Sequence, residues 1–286
     1  MSLAATARSR SFAPLLRFAR RSPALALGSS IVGLVIVIAL VAPLVAPYDP
    51  TFQTMSDRLQ PSSVAHWLGT DGFGRDILSR LIYGTRPTLL IISLVALIMA
   101  PLGIAIGIVA GYYGGIVDRI LMRFTDMAMS FPRLILAFAF VAVLGPGLLN
   151  AALALAVTSW PPYARQARVE TQAMRRSDYM ASVEMLGIRG PRLLFGHVLP
   201  LVFPLAIVRM ALDLAGMVLI AAGLGFLGLG VLPPTAEWGK MVADGTPVIF
   251  DQWWVAASPG VAILILSLGF NLMADGLRDI MDPRHG

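Results

Sequence analysis

Six apolar stretches, each bounded by charge, glycine or proline, leave this chain few ways to fold. They are Ala24–Pro47, Thr88–Gly111, Leu134–Leu144, Leu149–Tyr163, Leu199–Ala222 and Val255–Ala274. A bilayer core about 30 Å thick is crossed by roughly 20 apolar residues, each rising about 1.5 Å along a helix. Four of the six stretches reach that length. The third is the shortest, and Asp118–Phe131, a helix-like segment bearing Arg119, Arg123 and Asp126, reads as its cytoplasmic extension. No water is present in the membrane core to satisfy backbone groups, so the stretches must be helices, with Pro101, Gly103 and Gly107 tolerated where neighbouring helices cover them. The expected fold is therefore all-α and polytopic, with six transmembrane helices.

Composition excludes most other classes. The chain is 57% hydrophobic and 13% charged, where a soluble domain carries about 25% charged residues. The net charge of +6 would suit nucleic acid in a soluble protein, but basic residues at membrane edges report orientation instead. Arg8, Arg10, Arg17, Arg20 and Arg21 precede the first stretch. That stretch is too long for a secretory signal core and reads as an uncleaved anchor with a cytoplasmic amino terminus. With six crossings, both termini face the cytoplasm. Inner segments then hold 16 basic residues and outer segments 5, with Arg209 inside a span. Arg75, Arg80 and Arg86 strain this assignment, because they fall on the outer side with only Asp71 and Asp76 to offset them. The implied divisions are 1–23 as a basic cytoplasmic segment, 24–47 as the first helix, 48–87 as an outer loop and 88–286 as a five-helix core. With no cysteine, disulfides, thiol catalysis and thiolate metal sites are all excluded.

The longest inner segment after the amino terminus is Ala164–Val198, a loop of 35 residues. Asp178 fits the N-cap of a short helix, Gly187 a left-handed terminating turn, and Pro191 the first turn of a second helix that runs through Phe195 into the fifth span near Pro200. A plain amphipathic connector fits these features, and so does a rigid elbow built to be pushed from the cytoplasm.

The pattern Asp178-Tyr179-Met180-Ala181-Ser182-Val183-Glu184-Met185-Leu186-Gly187, followed by Leu199-Pro200, resembles the cytoplasmic loop of permease subunits in binding-protein-dependent ABC importers. More narrowly, the chain resembles the second permease subunit of dipeptide and oligopeptide importers. Three further blocks carry the resemblance: Gly69–Gly84 before the second span; Gly111-Tyr112-Tyr113-Gly114-Gly115 with Asp118, Arg119, Arg123 and Asp126; and Phe226–Gly230 with Pro233-Pro234, Trp238-Gly239 and Ala243-Asp244-Gly245. The carboxyl end, Asp275–Asp279 with Asp282-Pro283-Arg284, is similar too. Two positions depart from the family. Its Glu-Ala-Ala triplet falls on Ala181-Ser182-Val183, with Glu184 the nearest acid, and a usual glutamate after the fifth span is Ala221.

The resemblance implies the type I ABC importer fold, a bacterial inner-membrane location, and four kinds of partner. These are a homologous second permease subunit, two cytoplasmic ATPase subunits, an extracytoplasmic solute-binding protein and membrane lipid, with no nucleic acid. It also implies that the elbow helix Tyr179–Leu186 docks in a groove on an ATPase, with Asp178, Tyr179, Met180, Ala181, Ser182, Val183, Glu184, Leu186 and Gly187 as coupling residues and Leu199 and Pro200 closing the motif. Because the signature glutamate is absent, apolar docking by Tyr179, Met180, Val183 and Leu186 is expected to outweigh an ion pair at position 181. Cargo within the family is a di- or oligopeptide, or alternatively a nickel chelate or another small solute. An ion-coupled secondary transporter is a rival of another class, and it would call for mid-membrane carboxylates and inverted repeats.

The chain itself carries no chemistry of hydrolysis. Lys240 sits in Gly239-Lys240-Met241 without a glycine-rich loop, and His66, His197 and His285 are scattered with no metal spacing. No cofactor is expected on this chain; ATP and Mg belong to the partner ATPases. Arg209 and Asp213 fall near the middle of the fifth span, four residues apart and so on one helix face. Charges at that depth cost on the order of 3 kcal/mol each and face a cavity or one another. They read either as a mutually neutralising pair or as part of the translocation path, Arg209 meeting a peptide carboxylate and Asp213 an amino terminus. Asn271 and Asp275 read as positioning the carboxyl end, and Trp253 and Trp254 as interfacial anchors. The Gly- and Pro-rich segment Gly223–Gly245 fits a binding-protein docking surface or a re-entrant turn equally well.

Overall fold

A computed structural model describes residues 22–281; the five leading arginines, Arg284 and His285 lie outside the described residues. Helices dominate: α1 (Pro23–Val45), α2 (Ile77–Tyr113), α3 (Gly115–Met129), α4 (Arg133–Leu144), α5 (Leu148–Ser159), α6 (Pro161–Arg175), α7 (Asp178–Met185), α8 (Leu199–Phe226), α9 (Trp238–Gly245) and α10 (Trp254–Met281). A single helical turn, Pro191–Leu193, and a five-residue π segment, Leu194–Val198, lead into α8. There is no strand among the described residues, only an isolated bridge between Thr70 and Asp76.

Four helices are long and apolar enough to cross a membrane: α1, α2, α8 with its leading turn, and α10. The other two expected crossings look different. The helix α3 does not extend α4 in a line; the pair is bent by 89°. Pro132 explains the break, since it lacks an N–H and keeps Phe131 out of the helical region. The fourth stretch divides into α5, of 12 residues, and α6. Trp160 between them keeps a helical conformation (φ −71°, ψ −27°), but Pro161 and Pro162 cannot donate to the carbonyls of Val157 and Thr158. The second stretch is longer than its apolar core. Asp76 accepts a hydrogen bond from Ser79 N at 2.8 Å and starts α2 at Ile77, so Arg80 and Arg86 belong to a helix and not to an outer loop.

Two close helix pairs organise the packing. Gly103, Gly107 and Gly111 form a stripe on α2 that lies directly on α6. A Cβ at these positions would meet Trp160 O at 2.5 Å, Ala164 O at 2.3 Å and Arg168 O at 2.7 Å. Small residues at such spacing let backbones approach, and dispersion then replaces the hydrophobic drive that lipid cannot supply. The buried face of α6 answers with Tyr163, Ala164, Ala167 and Thr171. In the second pair, α1 lies on α10: a Cβ at Gly28 would meet Met273 N at 2.3 Å, and one at Gly276 would meet Leu25 Cβ at 2.4 Å. The helix α8 joins the two pairs, touching α2 and α6 on one side and α10 on the other, where Ser267 Oγ donates to Ala215 O at 3.0 Å. Between α8 and α10, α9 folds back against both, its Trp238 Nε1 donating to Leu81 O of α2 at 3.0 Å.

Candidate functional site

The elbow is built from the end of α6 through the start of α8. Its helix α7 is capped one residue earlier than the sequence suggests. Ser177 is extended (φ −85°, ψ 151°) and its hydroxyl accepts from Met180 N at 3.4 Å, which makes Asp178 the first helical residue. There its charge still meets the positive end of the helix. Gly187 takes φ +79° and Gly190 φ +60°, left-handed values that side-chain-bearing residues avoid; Pro191 then opens the next turn as expected. The phenol of Tyr179 reaches His197 Nδ1 at 2.8 Å, tying α7 to the π segment.

The outward face of α7 differs from the sequence reading. Met180 and Val183 are 1% and 5% exposed and belong to the subunit core. They anchor the elbow by packing inside the subunit. The exposed apolar side chains are Tyr179, Met185, Leu186 and, beside them on the π segment, Phe195. Met185 escaped the sequence reading because eight residues with apolar groups on both faces give no clear period, and Phe195 because it lies on a separate segment. Ala181 and Ser182 are also exposed; Ser182 Oγ bonds back to Asp178 O at 2.9 Å. Glu184 has no ion-pair partner among the described residues. Leu199 packs against the core while Pro200 is exposed.

Ion pairs brace the elbow's supporting helix. Arg168 on α6 grips Asp118 on α3 through both Nε (2.5 Å) and Nη2 (2.6 Å), a fork geometry stronger than a single bond. Arg165 meets Asp126 at 2.6 Å, with both side chains at least half exposed.

At the opposite end, the three discordant arginines have partners. Arg75 pairs with Asp71 at 2.7 Å and lies 3.8 Å from Asp244. Arg80 approaches Asp71 at 3.4 Å and donates to Pro50 O at 3.2 Å. Arg86 Nε donates at 2.7 Å to Ala39 O, the carbonyl that Pro43 leaves without its helical donor. His66 Nδ1 sits 2.9 Å from Asp76. Glu237 caps α9 by accepting from Gly239 N at 2.7 Å and Lys240 N at 2.8 Å. Burial pushes the Glu237 carboxyl above its ordinary range, against the lowering effect of those two N–H donors. The segment Gly223–Gly245 thus includes a short helix packed into the fold, with Glu237 turned inward and Lys240 paired with Asp244.

Arg209 and Asp213 come together on α8, Nε to Oδ2 at 3.4 Å, and neither of those enclosed atoms makes a hydrogen bond. The Arg209 guanidinium stands 5.6 Å from the centre of the Tyr163 ring. Tyr163 is 1% exposed, and its hydroxyl is enclosed without a partner among the described residues. Asn271 and Asp275 are exposed on α10, away from this cluster's ion pair. Trp253 is exposed and Trp254 partly buried at the start of α10, their rings edge to face at 6.4 Å. No group of three metal-binding side chains occurs among the described residues.

Comparison with known proteins places this geometry. Residues 103–285 match the family described as "Binding-protein-dependent transport system inner membrane component", and residues 15–61 match the "N-terminal TM domain of oligopeptide transport permease C". The chain is 40% identical over 274 residues to the probable D,D-dipeptide transport system permease protein DdpC of Escherichia coli K12, covering 96% of this chain and 92% of that one. It is 44% identical over 258 residues to the di/tripeptide transport system permease protein DppC of Pseudomonas aeruginosa, covering 88% and 85%. The nickel transport system permease protein NikC of Escherichia coli K12 is 41% identical over 253 residues, covering 88% and 91%.

Proposed function

This chain belongs to the family of binding-protein-dependent transport inner membrane components, and from that premise we propose that it forms half of the translocation pathway of an ATP-driven importer of di- or oligopeptides. It is a transport subunit and not an enzyme; ATP is hydrolysed on separate subunits, and an extracytoplasmic binding protein delivers cargo. In this reading the other half of the pathway is a homologous second permease subunit. The chain crosses the bacterial inner membrane six times, with α3–α4 and α5–α6 as the two broken crossings and both termini cytoplasmic. The basic residues support that orientation, because Arg75, Arg80, Arg86 and Lys240 on the outer side are satisfied within the subunit while the inner ones are not all so.

One observation carries the mechanism. The elbow helix is anchored by buried Met180 and Val183 yet presents Tyr179, Met185, Leu186 and Phe195 to solvent. In water, that much apolar surface on a polar loop marks a docking face. The residues Asp178, Ala181, Ser182, Glu184, Gly187, Leu199 and Pro200 shape and terminate this face. An ATPase closing on it pushes α7, and the push passes through α6 to the glycine stripe of α2 and through the π segment to α8. Packed backbones transmit such a push as a rigid-body change. Arg209 and Asp213 lie on the path between the two permease subunits.

The test is co-purification with the partner subunits after Met185→Asp/Leu186→Asp. ATPase recovery is expected to fall at least about tenfold, as the loss of an interface anchor does, while Val183→Ala lowers thermal stability by about 2 kcal/mol and leaves recovery unchanged. Undiminished ATPase recovery with the double aspartate variant would sink the elbow's role. The nickel permease relative keeps a metal chelate as second cargo; uptake of labelled dipeptides and of nickel chelates by the complete transporter separates the two.

A further inference from the structure

We propose that Arg209 reads a free carboxylate on the cargo midway through the membrane, and that Asp213 and Tyr163 are positioning residues that hold its guanidinium for that purpose. The inference rests on the reading of this chain as one half of a transport pathway. It also revises the symmetrical picture in which both charges meet the cargo.

Three observations carry it. First, Arg209 is ten residues into α8, about 15 Å along the helix, where a charged group faces protein or an aqueous cavity and not lipid. Second, the pair is asymmetric. The Arg209 side chain is 35% exposed and Asp213 17%, and Asp213 Oδ2 and Arg209 Nε are both enclosed. The terminal nitrogens of Arg209 are not among the enclosed atoms and have no hydrogen-bond partner among the described residues. One carboxylate oxygen of Asp213, Oδ2, therefore faces inward, and the forked end of the guanidinium, on the more exposed of the two side chains, faces out. Third, that fork is held on two sides, by Asp213 at Nε and by the Tyr163 ring against its face at 5.6 Å. A guanidinium with its Nε edge occupied and its terminal edge open matches a carboxylate in the bidentate manner. A purely neutralising pair needs neither the ring nor the open edge.

The class of ligand is a solute with a free carboxylate, the carboxyl terminus of a peptide being one source. The experiment uses the complete transporter in proteoliposomes with saturating binding protein, whose affinity for each probe is measured separately. The probes are alanyl-alanine and its carboxyl-terminal amide. Arg209→Gln is expected to lower uptake of the acid relative to the amide by about tenfold, as loss of a charge-assisted hydrogen bond does. Arg209→Lys restores part of the preference. Tyr163→Leu weakens uptake of the acid alone by about threefold through loss of the ring contact, whereas Tyr163→Phe leaves it unchanged. Because Arg209→Gln leaves Asp213 unpaired, Arg209→Gln/Asp213→Asn is run beside it, with the amount of assembled complex as control; the same loss of preference is expected. Equal losses for acid and amide, or wild-type preference in the double variant, overturn the proposal and leave the transport reading standing. Uptake of neither probe by the wild-type complex overturns the peptide reading and this inference with it.

Discussion

The two ends of this molecule treat charge and apolar surface in opposite ways. At the end that holds α9, Asp71, Arg75, Asp76, Arg80 and Glu237 are all 5% exposed or less, and each has a charged or backbone partner inside the subunit. At the elbow end, the Arg165–Asp126 pair is half exposed and Met185 and Leu186 stand in solvent at 88% and 78%. An end whose charges are already paired is finished by its own chain. With the ATPase docking proposed here, an end with bare apolar residues on a rigid helix is finished by a partner, and the difference separates the part that holds shape from the part that would receive force.

This contrast breaks most visibly at Asp71. Asp71→Ala leaves Arg75 and Arg80 buried beside each other, so it is expected to cost about 3–5 kcal/mol and to deplete folded protein from membranes. A variant that accumulates and melts like wild type would mean the outer network is dispensable. A smaller loss is expected at the α2–α6 contact. A methyl at Gly107→Ala would fall 2.3 Å from Ala164 O, and overpacking of this kind costs about 1–3 kcal/mol. Because α6 carries the elbow, uptake should fall further than ATP hydrolysis; proportionate losses would argue that the elbow's motion bypasses α2. The least effect is expected at the surface of the elbow end, where Asp126→Asn removes an exposed pair and should change thermal stability by less than about 1 kcal/mol. A loss matching that of Asp71→Ala would erase the contrast between the ends.

The sequence marks punctuation better than it marks partners. Gly187, Pro191 and the Leu199-Pro200 pair delimit the elbow because left-handed turns and missing N–H groups are properties of single residues. Pro132 announces a break between α3 and α4 for the same reason, but its 89° angle is set by packing on α2 and α6 and has no local signal. The outer arginines could not be placed from sequence, because Asp244 and the carbonyl of Ala39 reach them only in the folded chain. Nor could the phase of α7 be read, since Met180 and Val183 differ from Met185 and Leu186 in position alone. The pairing of Arg209 with Asp213 follows from their spacing. Tyr163 follows from nothing local, because it arrives on another helix.

The contact of α1 with α10 has a consequence for how the protein is made. The cleft at Gly28 fits the backbone at Gly269 and Met273, which the ribosome delivers long after α1. Until then, α1 waits with this close-packed face uncovered, in contact with lipid or with the insertion machinery. Such sequence-distant closure is slow and exposes the nascent chain to mispairing. A chain arrested before Gly269 would therefore present an open α1 face, a ready mark by which membrane quality control could tell an unfinished permease from a complete one.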